Sequence, residues 1–204
     1  MSNLVAKKRN NTKSERSREE ILDAAWDLIA IQGASVSMAK IAAAVGMTRQ
    51  SIYVHFGSRG GLLIALVRRA DDRFDIWGGV ERAILELDPT KRLDACLRAW
   101  YEFVPKIHPV AKDLISLRAS DPDAAGAWID RMEDLRDFHL RLIETIAADG
   151  ALADGWTIED AADFVWGISS VQMWDLFIKD RKWSEEKATV MIRKTIATTL
   201  LKIR

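Results

Sequence analysis

The sequence predicts an all-α protein, with an N-terminal three-helix helix-turn-helix unit, a larger C-terminal helical domain and about nine helices in all. Three observations lead to this fold class. Apolar residues recur at i, i+3 and i+4 along most of the 204 residues, which is the spacing of amphipathic helices. Four prolines and eleven glycines leave little room for a many-turned β fold, and no hairpin signal is present. Near the N-terminus, two short helical segments flank a glycine-containing turn.

The overall composition is that of a globular protein. Hydrophobic residues make up 49% of the chain and charged residues 29%, with a formal net charge of zero. The sequence contains no stretch of about 18 apolar residues, the length that spans a bilayer. The basic N-terminus is not followed by the apolar segment that a secretory signal has. Cys96 is the single cysteine, so an internal disulfide is excluded. We therefore expect a cytoplasmic protein without membrane contact.

Charge is distributed unevenly along the chain. Residues 1–70 contain eleven Lys or Arg and five Asp or Glu, whereas residues 71–204 contain nineteen and twenty-five. A basic N-terminal third suggests a polyanionic partner such as a phosphate backbone, although segregation of this size also arises by chance. Seven of the eight tryptophans lie in the acidic part, which is therefore rich in large apolar side chains.

The N-terminal third is predicted in detail. Residues 1–14 have no apolar periodicity and are interpreted as a flexible basic arm. This arm is either a solvated tail without a function or a segment that contacts DNA. A helix over 15–32 ends at Gly33. A short helix over 36–44, capped by Ser37, a tight turn at 45–47 and a helix starting at Thr48 complete the helix-turn-helix pattern.

The helix that starts at Thr48 has a polar outer face. At 100° per residue, Ile52 faces inward together with Val45 and Phe56, whereas Gln50 and Val54 point almost opposite. Polar residues at the N-terminus of such a helix occupy the place where a recognition helix meets base edges.

Further helices are expected along the rest of the chain, with a loop at 148–156. A break is expected at Gly78-Gly79. The predicted helices cover residues 59–77, 90–104, 109–119, 122–148, 157–180 and 185–203.

The stretch 18–69 closely resembles the DNA-binding domain of the tetracycline-repressor (TetR) family of bacterial regulators. The string GMTRQSIYVHFGSR carries most of the resemblance, with about ten consecutive positions that agree in spacing and residue type. Residues outside this string that also match are Ile21, Leu22, Ala24, Ala25, Leu28, Gly33, Ser37, Met38, Ile41, Ala42, Leu62 and Leu63. The C-terminal segment WSEEKATVMIRKTIATTLL resembles the last helix of the family, whereas the rest of the chain matches weakly.

The resemblance implies the domain organisation and the function. Residues 15–57 would bind DNA, and residues 58–204 would bind a small molecule and form a homodimer. Such a dimer binds a pseudo-palindromic operator, represses transcription and releases DNA when the effector binds. The two recognition helices would then lie one turn of the major groove apart, about 34–36 Å.

The resemblance also implies which residues contact DNA. Those at the family's major-groove positions are Thr48, Arg49, Gln50 and Ser51. Candidate phosphate contacts are Ser37, Lys40, Tyr53, His55 and Arg59, although Tyr53 could instead belong to the core and His55 could only cap its helix. Arg49 could bind guanine bidentately and Gln50 adenine.

The sequence departs from the family pattern at two places. Gln50 replaces a small residue or proline, so the operator sequence cannot be inferred from relatives. Gly60-Gly61 replaces an acidic residue and its neighbour, which predicts a weaker start of the fourth helix, by about 1 kcal/mol relative to alanine.

Side chains for the effector and the dimer interface are expected in the C-terminal part. The candidate effector-binding residues favour a hydrophobic or aromatic ligand, although aromatic residues at helical spacing more often belong to the core. They are Trp77, Trp100, Phe103, His108, Trp128, Met132, Phe138, His139, Trp166 and Met173. The candidate dimer interface, on the last two helices, comprises Phe164, Ile168, Val171, Trp174, Ile178, Met191, Ile192, Thr195, Ile196 and Thr199.

Two other function classes compete with this one. No metalloprotease, phosphate-loop or nucleophile-elbow motif is present, and His55, His108 and His139 are too scattered to indicate a metal site, so neither an enzyme nor a cofactor is expected. An architectural DNA-binding protein without an effector would bind any sequence through phosphate contacts, but it has no need of the large acidic domain. A repressor is favoured, but an activator is the alternative, since the direction of regulation depends on where the operator lies.

Overall fold

The computed structural model describes residues 2–202, with side chains from residue 14 onward, and it confirms the all-α class. Within this range the chain forms ten α-helical segments, of which α9 has only five residues, and one π-helical segment. Their bounds are α1 Ser2–Gln32, α2 Met38–Ala44, α3 Arg49–Phe56, α4 Arg59–Arg73, α5 Ile76–Ile84, α6 Pro89–Leu117, α7 Pro122–Ala148, α8 Ile158–Ile168, α9 Val171–Asp175, the π-helical segment Leu176–Asp180 and α10 Glu185–Leu200. None of the described helices is both long and apolar enough to cross a membrane.

The chain divides into two compact units. Unit 1 consists of Met1–Ala70 and Pro109–Ile129, and unit 2 consists of Asp71–His108 and Asp130–Arg204. The predicted domain boundary between residues 57 and 58 therefore falls inside unit 1. The reason is that α4 completes the core of this unit, where its side chains Leu62, Leu63 and Leu66 are buried.

Local sequence signals set the ends of the first helices. Ser37 caps α2 by accepting the backbone N–H of Lys40, as predicted. The turn before α3 contains Gly46, and α3 ends at Gly57; both glycines have positive φ angles, +65° and +73°, which other residues rarely adopt. The predicted helix, glycine turn and second helix are thus confirmed.

The N-terminal segment differs from the prediction. Helix α1 begins at Ser2, whereas residues 1–14 were predicted to form a flexible arm. No glycine or proline interrupts the chain between residues 2 and 32, so nothing in the sequence ends the helix before Gly33. The side chains of residues 1–13 lie outside the described residues.

Two helix boundaries in the middle of the chain were predicted wrongly. The helix expected over 59–77 ends at Arg73, where Asp75 adopts a left-handed conformation (φ 48°), and Gly78-Gly79 lies inside α5. The helices expected over 90–104 and 109–119 form the single helix α6, which continues through Pro105 and Pro109. Each proline removes one hydrogen bond, but the apolar stripe on either side continues in phase, and buried side chains hold both halves.

The C-terminal helices also differ in detail. The helix expected over 157–180 is interrupted at Ser169-Ser170, because the Ser170 hydroxyl accepts the backbone N–H of Met173 and starts α9 anew. Beyond α10, Leu201 pairs with Leu152 of the predicted loop through an isolated antiparallel bridge. Backbone hydrogen bonds join this loop to the chain terminus, from Ala153 N to Leu200 O (2.8 Å) and from Lys202 N to Ala151 O (3.0 Å).

The glycine pair at the start of α4 occupies crowded positions. A Cβ atom at Gly60 would lie 2.6 Å from Oδ1 of Asp123, and one at Gly61 would lie less than 3.0 Å from the carbonyl oxygen of Phe56. The sequence suggested that these glycines loosen the helix. The structure provides a different reason for them, since a larger residue at Gly61 would displace the backbone at the end of α3.

We expect Gly61→Ala to lower the free energy of unfolding by about 1–3 kcal/mol, because backbone must move to admit the methyl group. The matched control is Gly126→Ala on α7 of the same unit, where a Cβ meets nothing within 4 Å. This control should gain about 0.5–1 kcal/mol from the better helix propensity of alanine. Urea denaturation of both variants measures the difference, and equal stabilities would contradict the crowding at Gly61.

Candidate functional site

Helix α3 presents a polar surface at its N-terminus. Ile52 is fully buried and Phe56 is 9% exposed, so the opposite face of the helix points outward. Gln50 on that face is exposed, and Val54 is 77% exposed. The orientation predicted from helical spacing is therefore confirmed.

Three of the predicted major-groove residues are held in place, two by each other and one by Tyr53. Thr48 caps α3 by accepting the backbone N–H of Ser51 (3.1 Å), and the two hydroxyl oxygens lie 2.9 Å apart. The Arg49 guanidinium donates to the Tyr53 hydroxyl (3.1 Å) and lies 5.4 Å from the centre of its ring. These contacts order the polar side chains before any partner is present, which lowers the entropy cost of binding.

The candidate residues on α2 flank this surface. Ser37 and Lys40 are both exposed. The Ser37 oxygen accepts the N–H of Lys40 (3.3 Å), which leaves its hydroxyl hydrogen available to donate. The Lys40 ammonium donates to the side-chain oxygen of Gln32 on α1.

Arg18 on α1 fixes the other end of α3, a role that the sequence did not predict. Its guanidinium donates to the backbone carbonyl of His55 (2.8 Å) and lies 4.4 Å from the centre of the Phe56 ring. The His55 side chain is half-buried. The sequence shows an arginine on α1, but its contact with a carbonyl 37 residues further along the chain depends on how α1 and α3 pack.

Arg59 is directed into unit 1. Its guanidinium forms an ion pair with Asp121 (2.6 Å) and donates to the carbonyl oxygen of Ala34 (2.7 Å). Although burial raises the pKa of Asp121, the backbone N–H of Ala124 and the Arg59 charge outweigh it and hold the pKa below its usual value. The phosphate contact expected for Arg59 is not supported, because the guanidinium is already engaged within the protein.

Residues 21–66 match the family model described as bacterial regulatory proteins, tetR family. This segment is a TetR-family DNA-binding domain. Members of this family are DNA-binding transcription factors and not enzymes. The matched range covers α2 and α3 completely, together with most of the α1 and α4 residues that form the core around them.

Solved structures of transcriptional regulators share the fold of this chain over most of its length. A regulator from Syntrophomonas wolfei str. Goettingen superposes with a TM-score of 0.75 at 18% identity, over 93% of this chain and 99% of that one. SmeT, the repressor of a Stenotrophomonas maltophilia multidrug efflux pump, solved with triclosan, gives 0.73 at 17% identity over 92% of both chains. A regulator from Saccharomonospora viridis, solved with choline, gives 0.68 at 18% identity, over 93% and 100%. A search of the curated proteins by sequence found no match.

The predicted effector-binding residues are placed mainly in the core. Those buried in unit 2 are Trp100, Phe103, Met132, Phe138 and His139, and those half-buried are Trp77, His108, Trp166 and Met173. Trp128 is buried in unit 1. Three pairs are in contact: Trp77 with Phe138 (ring centres 6.1 Å apart), Trp100 with Phe103 (5.7 Å), and Trp166 with Met132, whose carbonyl accepts the indole N–H (3.1 Å).

Unit 2 has two cavities, of which the larger lies away from the predicted effector residues. A groove of about 770 Å³ runs between α5, α6 and α10, and none of the predicted effector residues lines it. Its walls combine small residues such as Gly79, Ala95 and Ala99 with charged ones. A smaller cavity of about 140 Å³ includes Phe103 together with Phe74 and Lys106. No local sequence pattern predicts the groove, since α10 lies far along the chain from α5 and α6.

A buried ion pair joins the first residue of unit 2 to α7. Asp71 and Arg131 are both at least 95% buried, with 3.2 Å between Oδ1 and Nε. The Trp77 indole N–H donates to the other Asp71 oxygen (3.3 Å), and the Arg131 guanidinium lies 4.9 Å from the centre of the Trp77 ring. Burial raises the pKa of Asp71 to about 6, although Arg131 and the Trp77 N–H both lower it. Sequence reasoning missed this pair, because 60 residues separate its members.

His139 lies in the core as a neutral imidazole. It is completely buried, and neither ring nitrogen has a hydrogen-bond partner within the protein. Burial, assisted by the charge of Arg131, lowers its pKa to about 3. The residue therefore cannot act as a charged anchor near neutral pH.

The predicted dimer residues divide into two groups. Val171, Trp174, Ile192 and Ile196 are at most 3% exposed within the single chain, so their side chains belong to the core of unit 2 and are not free for a partner. The helical spacing identified the apolar residues correctly but could not distinguish the inner face from the outer one. The remaining residues are half-buried or exposed: Phe164, Ile168, Ile178, Met191, Thr195 and Thr199.

We expect His139 to contribute a component of stability that is lost in acid, whereas Asp71, with its raised pKa, contributes a component of the opposite sign between about pH 6 and pH 4. Between about pH 6.5 and pH 3 the unfolded chain binds a proton at His139 that the folded chain does not, so this component of the free energy of unfolding falls as the pH falls. The contribution of this group is up to about 1.4 kcal/mol per pH unit. His139→Leu should remove that component of the slope, as measured by urea denaturation between pH 7 and pH 4.5. Phe138→Leu, which removes no titratable group, should keep the wild-type slope, and identical slopes in all three proteins would contradict the assignment.

Proposed function

We propose that this regulator acts as a homodimer that binds a pseudo-palindromic DNA operator and releases it when a small effector binds. The observation that carries the proposal is the ordered polar face of α3, where Arg49, Gln50 and the capped pair Thr48 and Ser51 are presented outward. Arginine and glutamine side chains form bidentate hydrogen bonds with guanine and adenine, respectively.

Polar residues placed to contact phosphate beside α3 support the same DNA-binding function. Ser37 and Lys40 at the start of α2 supply a hydroxyl and an ammonium group, and Tyr53 and His55 continue the surface along α3. Contacts of this kind fix the position of a protein on DNA, whereas base contacts specify the sequence. Regulation by repression is proposed by analogy with SmeT, the repressor of an efflux pump.

The half-exposed apolar residues of α8 and α10 support dimerisation. Met191 and Thr195 are exposed on α10, and Phe164 and Ile168 are half-buried on α8. Helices α8 and α10 pack against each other, so the two sets belong to one pair of helices. Two such pairs related by a twofold axis form a four-helix interface.

An effector is proposed on the basis of unit 2 and of the solved relatives. Unit 2 contains aromatic residues in a mainly apolar interior. Solved relatives were crystallised with triclosan, an aromatic compound, and with choline, a cation. An effector that binds preferentially to a conformation with low operator affinity would release the DNA by a population shift.

We expect selection from a random DNA pool to recover a palindromic sequence, with binding that persists at moderate salt. Gln50→Ala should lose discrimination at one position per half-site, by about 1–3 kcal/mol, because it removes a base contact. The control variant Lys40→Ala should weaken binding uniformly across sequences and reduce the slope of log K against log salt by about 1 for each phosphate that the lysine neutralises. Failure to enrich any motif, with binding that vanishes as salt rises, would instead establish the architectural type of DNA binding.

We expect Met191→Arg to convert the dimer to a monomer, because it places a charge within the apolar contact. The matched control is Val190→Arg on the same turn of α10, where Val190 lines the groove with α5 and α6 and is similarly exposed, at 49% compared with 44%. This control should remain dimeric. Sedimentation velocity of the three proteins gives the result, and a wild-type monomer would exclude the proposed dimer outright.

A further inference from the structure

Val54 is an exposed apolar residue on the outward face of α3. Its side chain is 77% exposed, whereas Ile52 on the opposite face is completely buried. Among the side chains that the structure describes in residues 14–70, only Val54 and Ile31 are at once large, apolar and exposed. Single exposed apolar residues are common on protein surfaces, so the meaning of Val54 depends on the groups beside it.

The fold of unit 1 does not depend on valine at position 54. Valine has a lower helix propensity than alanine, because its branched Cβ restricts χ1. The side chain is too exposed to add much apolar burial within the chain. Branching does provide a side chain with essentially one rotamer in a helix, so contact with a partner would cost little conformational entropy.

The neighbours of Val54 on the surface are the residues proposed to bind bases. Gln50 and Ser51 precede it by four and three residues, and side chains at these spacings have Cβ atoms about 5–6 Å apart. Beside them, the Arg49 guanidinium donates to the Tyr53 hydroxyl (3.1 Å). Val54 therefore belongs to the surface that would enter the major groove.

The major groove presents only one apolar substituent to such a side chain, the C5 methyl group of thymine. The other groups that distinguish the base pairs are hydrogen-bond donors and acceptors. Valine against a donor or an acceptor would displace water without replacing its hydrogen bond, which is unfavourable. Valine on this surface thus favours thymine twice, through contact with the methyl group and through the penalty at other bases.

The spacing of Gln50 and Val54 limits where this thymine lies. Successive base pairs of B-DNA are about 3.4 Å apart. A Cβ separation of about 5–6 Å therefore corresponds to one or two base pairs.

We propose that Val54 reads a thymine in each operator half-site, by contact of its methyl groups with the C5 methyl group of that base. The thymine lies one or two base pairs from the pair that Gln50 discriminates. This inference rests on the proposed function, since it assigns one element of the operator sequence and the residue that selects it.

Uracil in place of this thymine tests the contact, because it removes the methyl group and leaves every hydrogen-bonding group of the base pair unchanged. Selection from the random DNA pool supplies the operator, and the position at which Gln50→Ala loses discrimination gives the register. We expect the wild-type protein to bind the operator with uracil in both half-sites about tenfold less tightly, since each lost methyl contact costs about threefold. Uracil at thymines elsewhere should change the affinity by less than about 1.5-fold. Fluorescence anisotropy at one fixed salt concentration measures these affinities.

Val54→Ala tests whether valine is the residue that reads the methyl group. The variant should bind the thymine and uracil operators with affinities within about twofold of each other, because the two changes remove the same contact. Its melting temperature should stay equal or rise, since alanine is the better helix former and the position is exposed. The matched control is Ile31→Ala, which truncates a similarly exposed side chain (81%) on α1 of the same unit and should keep the wild-type preference for thymine.

Four outcomes would overturn the proposal. One is a selected operator without thymine at one or two base pairs from the Gln50 position. Another is equal binding of the thymine and uracil operators by the wild-type protein. A third is a preference for thymine that persists in Val54→Ala, since another residue would then read the methyl group. The fourth is an equal loss of affinity of Val54→Ala for both operators, which would place Val54 against the sugar–phosphate backbone.

Failure of this inference can be told apart from failure of the proposed function. A protein that enriches a palindrome but does not respond to uracil keeps its operator and loses only the role of Val54. A protein that enriches no motif loses both.

Discussion

The burial of Ile52 and Phe56 is the constraint on which the DNA-binding unit depends. An eight-residue helix is too short to be stable alone in water, so α3 exists because its apolar face packs against α1 and α2. Once these two side chains are buried, the helical period of 3.6 residues forces Gln50 and Val54 outward. The cap at Thr48 and the hydrogen bond from Arg18 to the His55 carbonyl then fix both ends of the helix.

A second constraint in the same unit is the engagement of Arg59. The Asp121 carboxylate accepts from the Arg59 guanidinium and from the backbone N–H groups of Asp123 and Ala124 at the start of α7. Removal of either partner would leave a half-buried charge without its counterpart, which costs more than loss of a fully exposed ion pair. A residue that resembles a phosphate contact in sequence therefore acts here as a link between α4 and the start of α7.

The tryptophans of unit 2 differ in what their N–H groups do. Trp77 donates to Asp71, Trp100 to the Ser169 carbonyl and Trp166 to the Met132 carbonyl. Each of these side chains thereby combines apolar burial with one directed hydrogen bond between helices. Trp174 is as deeply buried, yet its N–H has no such partner. Its burial therefore rests on apolar packing alone, without a directed hydrogen bond to another helix.

The sequence by itself determined the features that depend on neighbouring residues. The all-α class, the helix-turn-helix, the caps at Ser37 and Thr48 and the outward face of α3 all follow from patterns within about seven residues. The family followed from the consecutive match around Thr48. Local signals also misled where packing overrides them, since α6 continues through Pro105 and Pro109.

Only the tertiary structure decided which distant residues meet and which face of a helix is inside. The pairs of Arg59 with Asp121 and of Asp71 with Arg131 each join residues about 60 positions apart, and no local pattern encodes such a separation. Periodicity identified Ile192 and Ile196 as apolar but not as core, because an apolar stripe buried inside the chain looks the same as one buried by a partner. The physical reason is that hydrogen bonds within a helix are local, whereas burial depends on every helix that packs against the residue.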